Sequence, residues 1–566
     1  MKTALKTYWP YGLLTAAIML PLLLPGYILT LDAVFVPHLP APDSVTSDYL
    51  WQWLLHLLNV VVPSQIIEKA IFVGILLVAA IGAHRLFHGL RRAARLGAPA
   101  SSRAKQAMSE RRGWRVALRQ VQNEPLAPYV AGTLYAVNPF TYDRFMAGQY
   151  GVLMGYALLP VAVQVWLRFS SQPGRRELVR VLLVTTGISI VSLPTMGEVL
   201  LIALCVLTAA AWRYRRQTAR LRQLLLHSLA VAGIFVILSS YWLVPAALGE
   251  GRAAQQVHSF TAAHTAAFAT AGSNPVAKVF NVLQLQGFWA EPRQLYTLPQ
   301  DQLPGWGTVR LAVWALVVAG VVTFWRYSRR LAAVFLAMGG TSALLAAGAF
   351  APLLTRIGYR EPQKFVGLLA LTFAVLAAFG AARLFARARQ RSDARYLAAA
   401  SATLLVLLLF TPTMYWGFAG QLRPRQYPPD WFTANAYLNR QRGDFNTVFL
   451  PWHQYMSFDF AGRRIIATPA PRFFDRPIIA SNNPELGKIA PPKGEIATRI
   501  GDIVLPGRKP QDLAVQLSPH NVRYVLLAKE YDYRRYGYLE EQKDMRLIRD
   551  TPSLRLYENA AWKGGR

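Results

Sequence analysis

Cysteine and acidic side chains are scarce in this chain, and both shortages limit what the protein can be. The one cysteine, Cys205, lies inside an apolar run, which excludes disulfides within the chain and cysteine-ligated metal centres. Only 16% of the 566 residues are charged, whereas 53% are hydrophobic. A chain this long and apolar is not a single soluble domain, and several runs of about twenty apolar residues predict bilayer-spanning helices.

Several signatures of enzymes and repeat proteins are also missing from the sequence. It contains no phosphate-cradling G-x-x-x-x-G-K-[ST], no H-E-x-x-H and no G-x-S-x-G motif. No loop on the predicted cytoplasmic side of the membrane is large enough to fold into a nucleotide-hydrolysing domain. Neither a repeat of 20–50 residues nor a low-complexity tract is present, so nothing indicates a solenoid.

Basic residues outnumber acidic residues by 61 to 29, giving a formal charge of +32. The bases lie in short loops between apolar runs, which is the positive-inside pattern and does not indicate a nucleic-acid partner. We predict about eleven transmembrane helices, near residues 8–31, 67–88, 125–140, 151–168, 179–194, 199–213, 226–248, 306–325, 331–353, 364–386 and 397–419. Five basic loops then share one side, at residues 85–122, 168–180, 213–222, 326–330 and 383–395. This side, with the N-terminus, is therefore predicted to be cytoplasmic in a plasma (inner) membrane.

The composition changes from about Gln421 onward, where 15 of the 29 acidic residues are found. No later run could span a bilayer. Short β-rich runs at 447–450, 524–527 and 554–557 alternate with glycine, proline and charged turns. We therefore predict a transmembrane domain over 1–420 and a small α/β domain over 421–566. Because the predicted number of spans is odd, this domain is expected outside the cytoplasm.

The first outer loop, at residues 25–69, combines an acid with an amphipathic helix. Asp32 follows the first apolar run directly. Farther on, large apolar side chains recur at helical spacing around Gln52 and His56, which predicts an interfacial helix at about 47–62. The apolar positions are Trp51, Leu54, Leu55 and Leu58. Asp32 is either a solvated helix-end carboxylate or an acid–base group for a lipid-linked substrate, and the pattern leaves both interpretations open.

Three other outer segments carry charges beside apolar spans. In 138–149, Asp143 and Arg144 form either a local salt bridge or an arginine site for a phosphate. In 192–198, Glu198 is either solvated or functional. The segment 356–365 places Arg360 and Lys364 around Glu361 on the outer side, against the positive-inside tendency. These bases are either snorkelling anchors or phosphate ligands.

Taken together, these features resemble the GT-C superfamily of membrane glycosyltransferases. The resemblance is carried by the acid after the first span, by the interfacial helix and by the outer C-terminal domain. Loose sequence motifs add to it at 134–144, 148–149, 155–160, 241–245 and 360–365. The segments 427–431 and 450–455 look like the tail of YfhO-like and arabinofuranosyltransferase-like relatives.

The resemblance implies an α-helical, multi-pass enzyme that moves a sugar from a polyprenyl-phosphate donor to an extracytoplasmic glycan or protein acceptor. Asp32 matches the catalytic acid of the first loop and would act as general base. Arg360, Lys364 and Arg144 would stabilise the departing lipid phosphate. Some relatives use a divalent metal, Mg or Mn, to which Asp32, Asp43 and Asp143 could contribute oxygen ligands, although no spacing demands a metal.

Two other functions compete with the enzyme. A transporter or flippase for a lipid-linked sugar would explain the outer bases without any reaction. A non-catalytic relative would anchor the outer domain within a cell-envelope complex. Loss of sugar transfer on replacing Asp32 would favour the enzyme over both.

Overall fold

The computed structural model describes residues 2–96, 121, 123–249, 261–487, 489, 495–508 and 511–564. Most of the predicted basic loop at 85–122 lies outside the described residues. So do residues 250–260, between the predicted spans at 226–248 and 306–325. The helices of the membrane part are α1 (Lys2–Met19), α2 (Tyr49–Val61), α3 (Ser64–Leu96), α4 (Ala127–Ala136), α5 (Pro139–Met146), α6 (Tyr150–Ser171), α7 (Arg175–Val191), α8 (Thr195–Tyr214), α9 (Thr218–Leu238), α10 (Ser240–Ala247), α11 (Ala262–Ala267), α12 (Pro275–Leu283), α13 (Pro299–Gln302), α14 (Trp306–Tyr327), α15 (Arg329–Ala346), α16 (Ala351–Arg356), α17 (Val366–Arg391) and α18 (Asp393–Leu409).

Within the described residues, seven helices are long and apolar enough to cross a membrane, or up to eight if one bent pair is a single span. The seven are Ser64–Arg92, Tyr150–Ser171, Thr195–Tyr214, Thr218–Leu238, Trp306–Tyr327, Arg329–Ala346 and Pro362–Arg391. The bent pair is Asp393–Leu409 with Pro412–Ala419, at an angle of 66°. The chain is therefore a polytopic helical protein, but the predicted count of about eleven spans is not confirmed.

The predicted first span at 8–31 differs from the structure for a visible reason. Helix α1 ends at Met19 and continues as one 3₁₀ turn, Leu20–Leu23, which contains Pro21. The chain then runs without a helix past Asp32, because side chains of α3 bind its backbone. Gln65 accepts from the Gly26 N–H at 2.7 Å, and Glu68 accepts from the Ile28 N–H at 2.9 Å.

The predicted span at 125–140 is likewise two short helices, α4 and α5. Asn138 separates them, and its side chain serves both ends. Its amide donates to the Leu134 and Tyr135 carbonyls, and its oxygen accepts from the Thr141 N–H at 3.1 Å. Pro139 then occupies the first turn of α5, where its missing N–H costs no hydrogen bond.

The amphipathic helix predicted at about 47–62 is present as α2, Tyr49–Val61. Leu55 is its buried side chain, while Leu54, Leu57 and Leu58 are exposed. Asp48 stands at the N-cap position and accepts a side-chain hydrogen bond from Gln52 at 2.8 Å. An exposed apolar face of this kind suits a helix lying on a membrane surface.

The C-terminal domain contains a five-stranded sheet in the order β4-β1-β5-β7-β6 and a separate hairpin of β2 and β3. Strands β4, β1 and β5 are parallel, while β7 and β6 continue the sheet antiparallel. The elements are α19 (Pro429–Asn439), β1 (Asn446–Leu450), β2 (Tyr455–Phe458), β3 (Arg464–Ala467), α20 (Ala470–Phe473), β4 (Ile478–Ile479), α21 (Ile496–Val504), α22 (Leu513–Leu517), β5 (Val522–Ala528), α23 (Tyr538–Glu541), β6 (Met545–Asp550) and β7 (Leu554–Asn559). The three runs predicted as strands thus lie in β1, β5 and β7.

The segment between α1 and α2 joins the C-terminal domain to the membrane part. Tyr27 and Arg425 form an antiparallel bridge, and the Ala467 N–H of β3 donates to the Leu31 carbonyl at 2.8 Å. Apolar side chains of the loop, including Phe35, belong to the same hydrophobic cluster as Trp431 of the outer domain. The residues around Asp32 are therefore held between the two parts of the protein.

Candidate functional site

Asp32 is fixed by two segments that are distant from it in sequence, the turn at 147–149 and strand β2. Its backbone N–H donates to the Ala147 carbonyl at 2.9 Å. The Tyr455 hydroxyl of β2 donates to Oδ1 at 2.9 Å, and the Gln149 amide donates to Oδ2 at 3.4 Å. Both hydrogen-bond partners of this carboxylate in the described part of the chain are neutral side chains.

A glycine makes the close approach of Asp32 to the α5–α6 turn possible. Gly148 has φ +71°, a left-handed conformation that side chains with a Cβ rarely adopt. A Cβ on Gly148 would lie 2.3 Å from the Ala33 nitrogen and 2.3 Å from Thr30 Oγ1. The turn carrying Gln149 can therefore pack directly on residues 30–33.

A chain of hydrogen bonds connects Asp32 to the segment 360–365. Gln149 donates to Asp32 and accepts from Arg144 Nη1 at 2.6 Å. The same Arg144 nitrogen donates to Glu361 Oε2 at 3.1 Å. Lys364 Nζ lies 3.1 Å from the other oxygen of Glu361. The structure thus brings Asp32, Arg144, Glu361 and Lys364 into one network.

Glu361 lies among three positive charges. Besides Arg144 and Lys364, Arg360 Nε lies 4.0 Å from its Oε1. Burial alone would raise the pKa of Glu361, but Lys364, Arg144 and Arg360 outweigh burial and hold it at about 2. One carboxylate faces three cations, so the cluster retains a surplus of positive charge that an anionic ligand would balance.

The three cations differ in how far a ligand could reach them. Arg144 is 1% exposed and its guanidinium lies 4.4 Å from the centre of the Phe288 ring. Arg360 is 34% exposed, with its guanidinium 4.5 Å from the centre of the Phe268 ring. A phosphate that approaches the cluster from solvent can therefore reach Arg360 most easily and Lys364 less easily. Arg144 is buried and holds Glu361 and Gln149 in place.

Asp143 lies in a different environment from the residue beside it. Its carboxyl group hydrogen-bonds that of Glu291, and Tyr296 donates to its Oδ1 at 3.1 Å. Burial and then the Glu291 charge raise the pKa of Asp143 well above its ordinary value, and burial also raises that of Glu291. The Glu291 charge thus disfavours ionisation of Asp143, and Glu291 also accepts from the Gly287 and Phe288 N–H groups.

Glu198, in the first turn of α8, acts on the start of helix α17. Its Oε1 accepts from the Leu368 N–H at 2.9 Å, which satisfies one of the free donors at that helix end. Gly367 permits the contact, because a Cβ there would lie 2.7 Å from the same oxygen. Glu198 thus positions the helix that follows Lys364.

A cavity of about 210 Å³ opens at Leu31, the residue directly before Asp32 in the chain. One wall is Leu31, Met146 and Ala147. The others come from the loop between Phe288 and Tyr296 and from Arg463, Arg464 and Ile465 of the C-terminal-domain hairpin. The cavity is therefore bounded by both parts of the protein and lined by aromatic and cationic side chains.

The residues near Asp32 do not fit a metal site. Within the described ranges, no group of three or more His, Cys, Asp or Glu side chains could hold a metal ion. Asp143 bonds Glu291 and Tyr296, and Asp32 bonds Tyr455 and Gln149. No step of the chemistry is therefore assigned to Mg or Mn.

Tyr455, Gln149 and Glu291 were not among the sequence-predicted site residues. Gln149 lies within a motif that carries the resemblance, and Tyr455 ends another, so a weak signal existed for both. Glu291 lies in a long loop between two predicted spans, two residues after Trp289. No local pattern indicates that it meets Asp143 across 148 positions.

The fold is similar to that of a known membrane glycosyltransferase. The single-particle cryo-EM structure of the arabinofuranosyltransferase AftD from Mycobacteria aligns with a TM-score of 0.59 at 12% identity, covering 98% of this chain and 39% of AftD. A structure of an AftD point mutant aligns with a TM-score of 0.58 at 13% identity, covering 98% and 41%. This chain thus spans about two fifths of the AftD chain. The resemblance to an arabinofuranosyltransferase of the GT-C type is confirmed at the level of the fold.

No protein-family model and no curated protein sequence matches the chain.

Proposed function

We propose that this protein is a membrane glycosyltransferase that moves a sugar from a polyprenyl-phosphate donor to an acceptor hydroxyl. The observation that carries the proposal is the network joining Asp32 to the cation cluster at Glu361. This network joins an acid whose hydrogen-bond partners are neutral to a cluster in which three cations surround one carboxylate. The AftD-like fold agrees with the same class of reaction.

Asp32 is the general base of the proposed reaction. The acceptor oxygen attacks the anomeric carbon, the bond from that carbon to the phosphate oxygen breaks, and the acceptor proton passes to Asp32. Burial raises the pKa of Asp32, and the hydrogen bonds from Tyr455 and Gln149 offset only part of that rise. A raised pKa makes the carboxylate a stronger base. The cavity lined by Leu31 and by Ala147, whose carbonyl accepts from the Asp32 N–H, is proposed as the space for the reacting sugar.

The leaving lipid phosphate is proposed to bind Arg360 and Lys364. Charge develops on that phosphate as the bond breaks, and fixed cations stabilise it without further reorganisation. Glu361 and Arg144 orient these side chains through their ion pairs. Arg144, Asp143 and Glu198 are thus proposed as positioning residues rather than ligands of the phosphate.

We further propose that Asp32 and the C-terminal domain face the outside of a plasma (inner) membrane. Gln149 stands immediately before α6, whose 22 residues carry the chain about 33 Å away to Ser171. The arginine-rich loops 168–180 and 213–222 therefore lie at the end of the bundle opposite Asp32. Positively charged loops of membrane proteins favour the cytoplasmic side.

Sugar transfer by the full-length protein in lipid nanodiscs tests this function with a panel of polyprenyl-phosphate sugars. Asp32→Asn should abolish transfer and leave donor binding intact, while Arg360→Gln should weaken donor binding. Asp43→Asn is the matched control, because Asp43 is an exposed carboxylate of the same loop. Donor binding with no transfer by any form of the protein would favour a transporter, and absence of donor binding would favour a scaffold.

A further inference from the structure

The bundle end remote from Asp32 contains a second cavity, of about 400 Å³. Its lining comes from two turns, α6–α7 and α8–α9. The lining residues are Ser171, Gln172, Pro173, Tyr214, Arg220 and Gln223. The cavity plays no part in the proposed sugar transfer.

Hydrogen bonds between the two turns fix the shape of this cavity. The Tyr214 hydroxyl donates to the Ser171 carbonyl at 3.3 Å, and Gln223 donates to the Pro173 carbonyl at 2.8 Å. The buried Tyr214 ring supports two cations, since the guanidinium carbons of Arg213 and Arg220 lie 5.5 and 5.9 Å from its centre. Two arginines are thus gathered at a formed cavity.

The surrounding charge is almost entirely of one sign. The loops 168–180 and 213–222 contain nine arginines and a single acid, Glu177. Glu177 already forms an ion pair with Arg180. The cavity therefore lies in a positive field that its own loops do not neutralise, which favours an anionic ligand.

The position of the cavity identifies the source of that anion. It lies where α6 and α8 end and α9 begins, and all three are candidate spans. Farther along the helices that the two turns connect, apolar side chains are exposed on the surface of the bundle. They include Leu183 of α7 and Leu226 and Leu229 of α9. Trp212, two residues before Tyr214 in the chain, is 70% exposed, and the Arg215 guanidinium lies 3.9 Å from its ring centre, an arrangement that suits the headgroup level of a bilayer.

We propose that this cavity binds the phosphate headgroup of an anionic membrane lipid. Arg220 and Arg213 pair with the phosphodiester, for which guanidinium geometry is well suited. The acyl chains lie along the exposed apolar faces of α7 and α9. The site is independent of the proposed glycosyl transfer at the other end of the bundle.

Native mass spectrometry of the detergent-solubilised full chain tests the site by titration with phosphatidylglycerol, phosphatidylcholine or inorganic phosphate. Phosphatidylglycerol should be retained more strongly than phosphatidylcholine. The double variant Arg213→Gln/Arg220→Gln should bind it about 30-fold more weakly, because each of two basic residues near a membrane surface contributes about 1 kcal/mol.

The control is Arg329→Gln/Arg330→Gln, which removes the same charge from exposed positions in another basic loop. It should retain the affinity of the unmodified protein. Equal loss in both double variants would mean a diffuse basic surface and overturn the proposal. Equal retention of both lipids, or binding of inorganic phosphate that blocks phosphatidylglycerol without any preference for the lipid, would overturn it as well.

Discussion

Asp32 and Glu361 lie at two ends of one hydrogen-bonded network and differ in what surrounds them. Asp32 has a tyrosine and a glutamine as partners, and burial raises its pKa. Glu361 has two arginines and a lysine, which outweigh burial and bring its pKa to about 2. Environments that shift the pKa values of two carboxyl groups in opposite directions indicate different roles for the two groups. One can accept a proton, and the other stays an anion that holds cations.

Replacing Asp32 tests the first half of this comparison and carries the largest expected effect. Asp32→Asn should lower the rate of sugar transfer by about 10²–10⁴-fold, the usual contribution of a positioned general base. The same change should leave folding intact or slightly stabilise the protein, since it removes a charge from a buried site. Transfer rates and thermal unfolding measure the two effects. Unchanged transfer would remove Asp32 from the mechanism.

Glu361→Gln should mainly lower the stability of the fold, whereas Asp32→Asn should mainly lower the rate of sugar transfer. It leaves Arg144 and Lys364 buried without their anion, which costs about 3–5 kcal/mol in comparable pairs. Denaturant or thermal unfolding of the solubilised protein measures this loss.

Glu291→Gln is the matched comparison for Glu361→Gln. Glu291 hydrogen-bonds Asp143, burial raises the pKa of Glu291, and a glutamine in its place can donate a hydrogen bond to Asp143. We expect a loss below about 1 kcal/mol. Equal losses for the two variants would contradict the different charge states assigned to these acids.

Acid should weaken the protein through Glu361 in a defined pH range. Its pKa falls from 4.5 in the unfolded chain to about 2 in the fold, so its contribution is complete above about pH 4.5. Between pH 4.5 and 2, about 3 kcal/mol of stability should be lost. Asp32 has the reverse sign, because a raised pKa gives stability at low pH that is lost as pH rises through the folded value. The difference in unfolding between the unmodified protein and Glu361→Gln should therefore shrink as pH falls below 4.5.

Tyr455→Phe tests how the partners of Asp32 set its pKa, and it carries the smallest expected effect. The Tyr455 hydrogen bond lowers the pKa of Asp32, so its removal should raise that pKa further. The acid limb of the transfer rate should move up by about one pH unit, given a hydrogen bond to a charged group of about 1.5–3 kcal/mol. Tyr531→Phe, at an exposed tyrosine of the same domain, should leave the profile unchanged. An unshifted limb in Tyr455→Phe would separate Tyr455 from the base.

Local patterns predicted the parts of this fold that depend on local chemistry. The amphipathic period placed α2, and alternating runs placed β1, β5 and β7 within a few residues. The signals that break the predicted spans are also local, since Pro21 and the pair Asn138 and Pro139 stand where the helices end. Apolar composition outweighed these signals in the prediction of about eleven spans.

The site required contacts that no local pattern contains. Asp32, Glu198, Asp143 and Glu361 look alike in the sequence, as acids beside apolar runs. Their roles separate only through partners distant in the chain, namely Tyr455, the Leu368 N–H, Glu291 and the cations around Glu361. Charge and polarity along the sequence gave candidates, and burial with pairing decided among them.

The hydrogen bond between Asp32 and Tyr455 has a consequence for folding during synthesis. The two residues are 423 positions apart, so the acid leaves the ribosome long before its partner. At about 5–20 residues per second, this delay is roughly 20 to 80 s. Throughout that interval the membrane part can insert, but the wall of the cavity that β3 supplies is absent. A chain that stops before β2 and β3, or loses its C-terminal domain to a protease, therefore lacks this wall and the Tyr455 hydrogen bond to Asp32, and it should not carry out the proposed sugar transfer.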